Sequence, residues 1–305
     1  MKKKIDLDIF IVVSPHALDN VELTIRYLKK NVLNLRDVYL VTAEEFVTHL
    51  EGKVKVIDEN SIGIDKNLIA DWFNSNGYSE KRVNWYFQQF LKIQLSNIVK
   101  TKYYAVWDGD TIPLKKMRLI KQIGDEVCFL IRPTNEYHIP YFKTNLKLIK
   151  LKKIKPYSFI SEYAVIKTAI GKSLINEIRK LSKKPWYINV LENINSADVN
   201  FSGFSEYEIL GNYQASLGQS YELLNGKSFR KASSYFGKKS NQKILNIMSK
   251  YYLFISFESW GISNEFKAKF FKTFPIAAIY FERIIEPLRK LKRCLATRYR
   301  KLFMK

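Results

Sequence analysis

Short apolar segments alternate with helical patterns through the first 107 residues, and this order constrains the fold more than any other feature. Each segment is shorter than a buried helix and is bounded by polar or turn residues, which is typical of strands. The predicted strands are Ile5–Val13, Val38–Val41, Val54–Ile57 and Tyr103–Trp107. Helical spacing covers about Val21–Val32 and Arg82–Val99. The order β-α-β-β-α-β predicts an α/β fold with a mainly parallel central sheet between helices.

The second half is less regular. Strands are predicted at Val127–Arg132, Ser158–Ile166 and Tyr251–Phe257, and helices at Ile170–Leu181 and from about Glu206. From Asn264 onward the pattern predicts amphipathic helices, broken at Pro275 and again near Pro287. We therefore predict one domain over residues 1–262 and a basic helical tail over residues 263–305.

Polar residues directly follow three of the predicted strands. Ser14 and Thr42 follow the first two, and Asp108–Asp110 follow the fourth. Ligands of parallel α/β sheets bind at the carboxyl ends of the strands. The three positions are therefore predicted to share one ligand-binding edge.

The segment Asp108-Gly109-Asp110 places two carboxylates on either side of a glycine at a strand end. Mg²⁺ and Mn²⁺ prefer oxygen ligands and leave coordination positions open for phosphate oxygens. A metal held by Asp108 and Asp110 would neutralise charge on a leaving diphosphate. The alternative is an ordinary turn, in which Asp-Gly is common.

A polar stripe runs along the second predicted helix. Asn84, Gln88 and Lys92 lie four residues apart on an otherwise apolar element. Polar groups that enter a core need partners, and a nucleotide diphosphate would supply them, with Lys92 as the cation. A solvent-facing stripe is the alternative.

The segment from Phe204 to Tyr213 contains two further carboxylates. Ser205 and Glu208 have the spacing of a helix capping box, which explains both without a function. Glu206 has no such role and is our candidate for the base that takes a proton from an acceptor hydroxyl. A favourable interaction with the helix dipole is the competing explanation for Glu206. We retain Glu206 and Glu208 as candidate catalytic residues.

An acidic residue lies between aromatic residues in Phe254–Trp260. Glu258 and Trp260 would bind a sugar ring by hydrogen bonding and stacking. The same pattern also fits an alternating strand with Ser256 and Glu258 on its wet face.

The formal net charge is +22, and it is concentrated at the carboxyl terminus. Residues 266–305 contain 12 Lys and Arg against 2 Glu, with Phe, Ile and Leu at roughly helical spacing. Such helices lie at the surface of anionic bilayers. Nucleic-acid binding would use the same charges but lacks a recognition motif here, and a plainly solvated helix would expose many apolar residues.

Cysteines and apolar runs bear on the location of the protein. Cys128 and Cys294 lie in unlike contexts, which argues against a disulfide framework and fits a reducing compartment. Asp6 and Asp8 interrupt the first apolar run, which is unlike a signal peptide, and no run approaches the length of a membrane span. We expect a cytoplasmic protein that is peripheral on the inner face of the cell membrane.

Four segments in order carry a resemblance to a known family. They are Trp85-Tyr86-x-Gln88-Gln89-x-x-Lys92, Tyr104-x-x-Trp107-Asp108-Gly109-Asp110-Thr111, Ser158-Phe159-Ile160-Ser161 and Phe204-Ser205-Glu206-Tyr207-Glu208-x-x-Gly211-Asn212-Tyr213. This set resembles bacterial GT-A-type glycosyltransferases of capsule and lipopolysaccharide gene clusters, over about residues 9–260.

The resemblance implies a GT-A-like, Rossmann-type fold, a nucleotide-sugar donor, and a divalent metal on Asp110 with Asp108 nearby. It also implies a catalytic or acceptor role for the Ser-Glu-Tyr turn. The donor-side candidates are Ser14, Thr42, Arg82, Gln88, Gln89, Lys92, Trp107 and Asp108. The acceptor-side candidates are Ser161, Tyr207, Glu258 and Trp260.

One departure concerns the metal. Many GT-A enzymes add a late histidine ligand, but His16, His49 and His138 all precede that region. Ser256, Glu258 or a water would have to complete the shell, and His138 either contacts an acceptor or is inert.

Two classes of function remain open at this point. The first is metal-dependent glycosyl transfer from a nucleotide-sugar to a cell-surface glycan or lipid-linked acceptor. The second is a non-catalytic basic protein that binds anionic membrane or nucleic acid. A metal-dependent nucleotidyltransferase is a narrower enzymatic alternative, because it also needs paired carboxylates and a metal.

Overall fold

The computed structural model describes residues 5–14, 19–43, 54–258, 264–285 and 287. They belong to two compact units, residues 1–226 and 227–305. None of the described helices combines the length and hydrophobicity that a bilayer crossing needs.

The first unit contains nine strands and eight α-helices among its described residues. The strands are β1 (Leu7–Val12), β2 (Leu35–Thr42), β3 (Lys55–Asp58), β4 (Tyr103–Trp107), β5 (Thr111–Pro113), β6 (Ile120–Ile123), β7 (Glu126–Ile131), β8 (Tyr163–Lys167) and β9 (Ser220–Leu223). The helices are α1 (Val21–Asn31), α2 (Lys66–Ser75), α3 (Val83–Ile98), α4 (Ile139–Ile149), α5 (Thr168–Arg179), α6 (Trp186–Asn193), α7 (Ser196–Val199) and α8 (Glu206–Ser216). Short 3-10 turns occupy Glu59–Ile62 and Glu80–Arg82.

The central sheet has the strand order β3-β2-β1-β4-β8. β1 pairs in parallel with both β2 and β4, and β2 pairs in parallel with β3. β8 is antiparallel to β4, with Trp107 opposite Tyr163. The predicted fold class, an α/β protein with a mainly parallel central sheet, is confirmed. Because β1, β2 and β4 run the same way, their carboxyl ends share one edge of the sheet.

A smaller sheet has the order β6-β7-β9. β6 and β7 form an antiparallel pair, and β9 joins β7 in parallel. The predicted strand Val127–Arg132 corresponds to β7, shifted by one residue.

α3 lies at the centre of the core of the first unit. Its Phe90 ring has its centroid 5.5 Å from Trp186, 6.0 Å from Tyr187 and 5.9 Å from Phe204. The helix is apolar on most of its circumference because several elements surround it. Lys92, on this helix, is therefore carried into the interior.

The predicted strand Ser158–Ile166 is wrong in its first half. Only Tyr163–Lys167 forms β8, whereas Ser158 makes an isolated bridge to Thr134. The Ser158 hydroxyl and the Phe159 amide both donate to the Glu208 carboxylate, at 2.8 and 3.0 Å. A side chain from α8 thus takes the Phe159 amide, which a sheet partner would otherwise have used.

The second unit contains β10 (Ser228–Phe229) and β11 (Phe254–Ser256), which pair in parallel. Its helices are α9 (Ala232–Phe236), α10 (Gln242–Met248) and α11 (Glu265–Thr273), and residues 275–285 are also helical. The helical run is interrupted at Phe274, directly before Pro275, as predicted. The proline ring disfavours helical backbone angles at the residue that precedes it. Phe229, Tyr235 and Phe271 are buried and form an aromatic core.

Candidate active site

The Asp108-Gly109-Asp110 turn directly follows β4. The Asp108 amide donates to the Glu162 carbonyl at 3.0 Å, which extends the β4–β8 ladder by one residue. The Thr111 amide donates to the Asp108 carbonyl at 3.0 Å, and the buried Trp107 indole donates to the Thr111 carbonyl at 2.8 Å. These bonds fix the backbone from which both carboxylates project.

Gly109 brings this turn against β1 and α1. The Thr24 hydroxyl donates to the Gly109 carbonyl at 2.9 Å. A Cβ atom at Gly109 would lie 3.0 Å from the Ile11 Cγ2 and 3.3 Å from the Cγ2 atoms of Val13 and Val21. Any larger residue would therefore push the turn away from the sheet.

Lys92 joins the turn to the start of α8. Its ammonium donates to Asp108 Oδ1 at 3.0 Å, to Glu206 Oε1 at 2.7 Å and to the Tyr207 hydroxyl at 3.0 Å. The Tyr207 hydroxyl donates in turn to Asp108 Oδ1 at 2.6 Å. Lys92, Glu206 and Tyr207 are buried, whereas the Asp108 side chain is 34% exposed. We call these four side chains the Lys92 cluster.

The cluster shifts the pKa of two of its members. Burial lowers the pKa of Lys92, but the charges of Asp108 and Glu206 outweigh it and hold the pKa well above its ordinary value. Burial and the Asp108 carboxylate raise the pKa of the Tyr207 phenol well above its usual range. Lys92 is thus a permanent cation and Tyr207 a permanent donor at neutral pH.

The two candidate catalytic carboxylates have different surroundings. Glu206 is the first residue of α8, its amide donates to Gln89 Oε1 at 3.2 Å, and its carboxylate already has a cationic partner in Lys92. Glu208 is fully buried. Its carboxylate accepts bonds from four donors: the Ser158 hydroxyl, the Phe159 amide, the Lys153 ammonium and the Asn212 amide group. This environment fits a loop-holding role for the Glu208 carboxylate, while the Ser205 hydroxyl caps α8 by accepting from the Glu208 N–H.

The sequence-predicted donor residues fall into two groups. Ser14, Thr42 and Asp108 lie at the same edge of the central sheet, as their strand order predicted. The Thr42 side chain is fully buried, and its hydroxyl has no hydrogen-bond partner within the described part of the chain. Trp107 is also fully buried and stacks on Tyr163 at 5.1 Å, so it supports the turn from inside and presents no surface to a ligand.

The remaining donor candidates lie along α3 and the turn before it. Along the predicted polar stripe Asn84 is exposed, Gln88 half-buried and Lys92 buried, so the stripe leads from solvent to the Lys92 cluster. Gln89 is buried beside Glu206, and its Nε2 has no partner among the described residues. Arg82 packs its guanidinium over the Trp85 ring at 3.9 Å and donates to the Phe201 carbonyl.

The acceptor-side candidates have different partners. Tyr207 belongs to the Lys92 cluster, and the Ser161 hydroxyl donates to Glu162 Oε2 at 2.9 Å. Glu258 pairs with Arg230 at 2.9 Å within the second unit, which also contains Ser256. Trp260 lies outside the described residues.

Sequence reasoning also missed a partly buried ion pair beside the turn. Arg132 donates to both oxygens of Glu162, from Nε at 2.6 Å and from Nη2 at 2.7 Å. The carbonyl of the same Glu162 accepts the Asp108 amide. The signal was weak because Glu162 fell inside a predicted strand, and an antiparallel neighbour of β4 was not anticipated.

The carboxylates of the turn are suited to a divalent cation that also binds a diphosphate. Among the described residues no three His, Cys, Asp or Glu side chains are grouped as a metal site. The two hydrogen bonds that described side chains make to the Asp108 carboxylate both reach Oδ1, and Asp108 and Asp110 are both partly exposed. Two protein carboxylates fit Mg²⁺ or Mn²⁺, which commonly take their other ligands from phosphates and water.

Several solved structures are similar to this chain, among them those of three glycosyltransferases. The galactosyltransferase LgtC, in complex with donor and acceptor sugar analogues, is 11% identical, with 82% of this chain and 87% of that chain covered and a TM-score of 0.42. Mouse xyloside xylosyltransferase 1 is 10% identical, with 85% and 100% covered and a TM-score of 0.41. The glycosyltransferase GlyE of Streptococcus pneumoniae TIGR4 is 10% identical, with 84% and 55% covered and a TM-score of 0.38.

The sequence also matches a known protein family over most of its length. No curated protein matches the chain. A family of unknown function, DUF6492, matches residues 21–268, which include β2 to β11 and the whole Lys92 cluster. The chain belongs to this family.

Proposed function

We propose that this protein transfers a sugar from a nucleotide-sugar donor to a glycan or lipid-linked acceptor, with a divalent cation held by Asp108 and Asp110. The observation that carries the proposal is the Asp108-Gly109-Asp110 turn itself. It lies at the carboxyl edge of the parallel sheet and is joined to buried Lys92, Glu206 and Tyr207 through Asp108 Oδ1. Ligands of such sheets bind at this edge.

The Lys92 cluster orients the carboxylate of Asp108. Lys92 and Tyr207 both donate to Oδ1, so they restrain the position of the side chain. Fixing a ligand's orientation from behind commonly raises both metal affinity and activity. We assign the metal to Asp108 Oδ2 and the Asp110 carboxylate, where Mn²⁺ or Mg²⁺ would stabilise the negative charge of the departing diphosphate.

Three other residues are assigned to the substrates from their burial and their places in the fold. Ser14 at the end of β1 and half-buried Gln88 on α3 are assigned to the nucleotide. Gln89 carries a buried amide nitrogen that has no hydrogen-bond partner within the described residues, next to Glu206. A buried donor of this kind is costly unless a ligand or water accepts its bond, which favours a substrate hydroxyl there.

The test is turnover of a panel of nucleotide-sugars by the full-length chain. Mn²⁺ is supplied with UDP-, GDP-, TDP- or ADP-sugars, and release of the nucleoside diphosphate is measured with and without a chelator. We expect one donor class to be consumed, and only with metal. Asp110→Asn should reduce the rate roughly 100-fold or more, because it removes a metal ligand. Asp71→Asn, the same change at an exposed position on α2, is the matched control and should retain full activity.

A binding measurement complements the rate. Mn²⁺ with the matching nucleoside diphosphate should raise the unfolding temperature of the wild type and leave that of Asp110→Asn unchanged, because a ligand that binds only the folded state stabilises it. Absence of any thermal shift and any turnover across the panel would contradict the proposal. Release of pyrophosphate would instead indicate a nucleotidyltransferase.

A further inference from the structure

Among the exposed large apolar side chains of the second unit, six lie four residues apart in two series on consecutive helical segments. They are Phe266, Phe270 and Phe274 at α11, and Ile276, Tyr280 and Ile284 in residues 275–285. We call this set the apolar stripe. Phe266 is 82% exposed and Ile284 is 67% exposed. A series of large apolar side chains that are this exposed is typical of an interaction surface.

The stripe is separate from the face that builds the core. In each segment its members are four residues apart, so they lie along one side of a helix. The other side of the same helices carries Ala268, Phe271 and Ala278, which are buried. Each helix therefore already has an inner apolar face, and the stripe is a second, outward one.

Basic side chains border the stripe. Lys269, Lys272 and Arg283 are all exposed. Of the two acidic residues in residues 264–285, Glu265 is in the first turn of α11 and Glu282 accepts a bond from the buried Tyr235 hydroxyl. The surface thus pairs aromatic and aliphatic groups with positive charge. The sequence of residues 288–305, outside the described part, adds eight Lys and Arg and no Asp or Glu.

We infer that the apolar stripe and its basic border bind the surface of an anionic phospholipid bilayer. Helices that lie in the plane of a membrane interface have this composition, with aromatic and aliphatic side chains at the acyl boundary and Lys or Arg at the phosphates. The inference concerns an interaction surface and is independent of the proposed sugar transfer.

Other occupants fit the surface less well. In a symmetric pair of chains the same patch would meet itself, so Lys269, Lys272 and Arg283 of both copies would face like charges. A nucleic acid would use the positive charges but leave the outward Phe and Ile side chains without a partner. An anionic bilayer is the partner that engages both features.

The test is co-sedimentation of the full-length chain with vesicles. Vesicles of phosphatidylcholine alone are compared with vesicles of equal parts phosphatidylcholine and phosphatidylglycerol. We expect binding to the anionic vesicles that weakens in about 0.5 M NaCl, where surface charges are screened. The triple variant Phe266→Gln, Phe270→Gln, Phe274→Gln should bind at least roughly tenfold less, since it removes most apolar contact with the bilayer.

A matched triple variant controls for general loss of surface hydrophobicity. Ile123→Gln, Leu146→Gln, Leu217→Gln changes three exposed apolar residues of the first unit and should bind vesicles as the wild type does. Circular dichroism and the unfolding temperature test whether both variants are folded. We expect both to fold, because all six substituted positions are exposed.

Three results would overturn the inference. The first is equal vesicle binding by the Phe triple variant and the wild type. The second is a change from dimer to monomer in the Phe triple variant, seen by sedimentation velocity, with vesicle binding unchanged. The third is binding of the wild type to a DNA duplex but not to anionic vesicles. Each readout is independent of catalysis, so the inference can fail while the proposed transferase activity stands, and the reverse also holds.

Discussion

Lys92 is the residue on which the charge balance of the site depends. It is the cation between Asp108 and Glu206 in a buried position. Without it, the Asp108 and Glu206 carboxylates would lose the ammonium that bridges them. Removing one partner of a buried ion pair costs far more than an exposed pair contributes, because the remaining charge stays desolvated.

We therefore expect Lys92→Met to lower the free energy of unfolding by about 3–5 kcal/mol. Methionine keeps the length and most of the volume of the side chain, so the loss reflects charge and not a cavity. Urea denaturation at neutral pH measures the effect. Lys100→Met, at an exposed position just beyond α3, is the control and should change stability by less than about 1 kcal/mol.

A second substitution shows whether charge is the cause. The double variant Lys92→Met, Glu206→Gln no longer carries two unpaired carboxylates and should recover part of the lost stability. If the double variant is no more stable than the sum of the two single changes predicts, Lys92 acts by packing and the charge argument is wrong.

At the residue scale, the sequence predicted the members of this site better than their contacts. Asp108, Asp110 and Lys92 stand out because a strand end and a polar stripe are local patterns. The bond from Lys92 to Glu206 spans 114 residues. No local pattern contains it, and the partners expected for Lys92 were phosphates. The structure instead supplies protein carboxylates.

At the element scale, α8 holds the irregular segment that precedes β8. Glu208 binds the Ser158 hydroxyl, the Phe159 amide and the Lys153 ammonium at 2.8 to 3.0 Å. Gly211 lets the ring of Phe159 lie against the helix, since a Cβ there would come within 2.1 Å of the Phe159 Cγ. The segment is thus fixed by one helix face and not by a sheet.

We expect Glu208→Gln to destabilise the protein by about 2 kcal/mol, since an amide nitrogen would meet a donor and Lys153 would lose its anionic partner. Chemical denaturation measures the change, and donor turnover is measured at a temperature where the variant is folded. Glu177→Gln, an exposed i,i+3 partner of Lys180 on α5, is the control and should be near neutral.

The same pair of measurements separates two roles for Glu208. A structural role predicts lower stability with turnover largely kept in the folded variant. Unchanged stability together with abolished turnover would show that Glu208 is catalytic, as the sequence had allowed.

Elements were predictable where burial leaves a continuous apolar signature. β4 has the predicted bounds, and β1 differs only at its ends. α2 was not predicted, although the Asp65 side chain caps it by accepting from the amides of Asn67 and Leu68. Ser158 and Phe159 read as strand residues because their actual partner, Glu208, lies 50 residues away.

At the scale of the whole molecule, buried tyrosines link stability to alkaline pH. Burial raises the pKa of the phenols of Tyr86, Tyr104, Tyr163 and Tyr221. Each hydroxyl donates to a backbone carbonyl, those of Val199, Lys92, Leu130 and Gly211 respectively. A phenolate could not donate and would face the carbonyl oxygen, so the folded state retains all four protons.

The direction of the pH dependence follows from these raised pKa values. In the unfolded chain the same phenols ionise near pH 10. Their contribution is fully present below that pH and is lost as the pH rises towards the folded-state values, because unfolding then releases protons. Each tyrosine lowers the free energy of unfolding by about 1.4 kcal/mol per pH unit in this range. Four together are enough to unfold a protein of ordinary stability within about two pH units.

The net charge of +22 acts against this fall in the free energy of unfolding, but more weakly. Lysines also lose their protons above pH 10, which relieves repulsion within the folded state. Most of these lysines are exposed, and charges separated by more than about 10 Å are screened at moderate salt. The tyrosine effect should therefore dominate, and we expect the unfolding midpoint in urea to fall steeply between pH 10 and 11.5 at about 0.1 M salt.

Tyr163→Phe isolates one of the four contributions. At pH 8 it should cost about 1 kcal/mol for the lost bond to Leu130. Above pH 10 the free energy of unfolding of this variant should fall less steeply than that of the wild type. The two slopes should differ by about 1.4 kcal/mol per pH unit, the contribution of one tyrosine. Tyr137→Phe, at a position 66% exposed, should follow the wild-type curve. Absorbance of tyrosinate at alkaline pH provides the independent check, because the buried phenols should ionise together with unfolding. Ionisation of all 19 tyrosines while the protein is still folded would contradict this account.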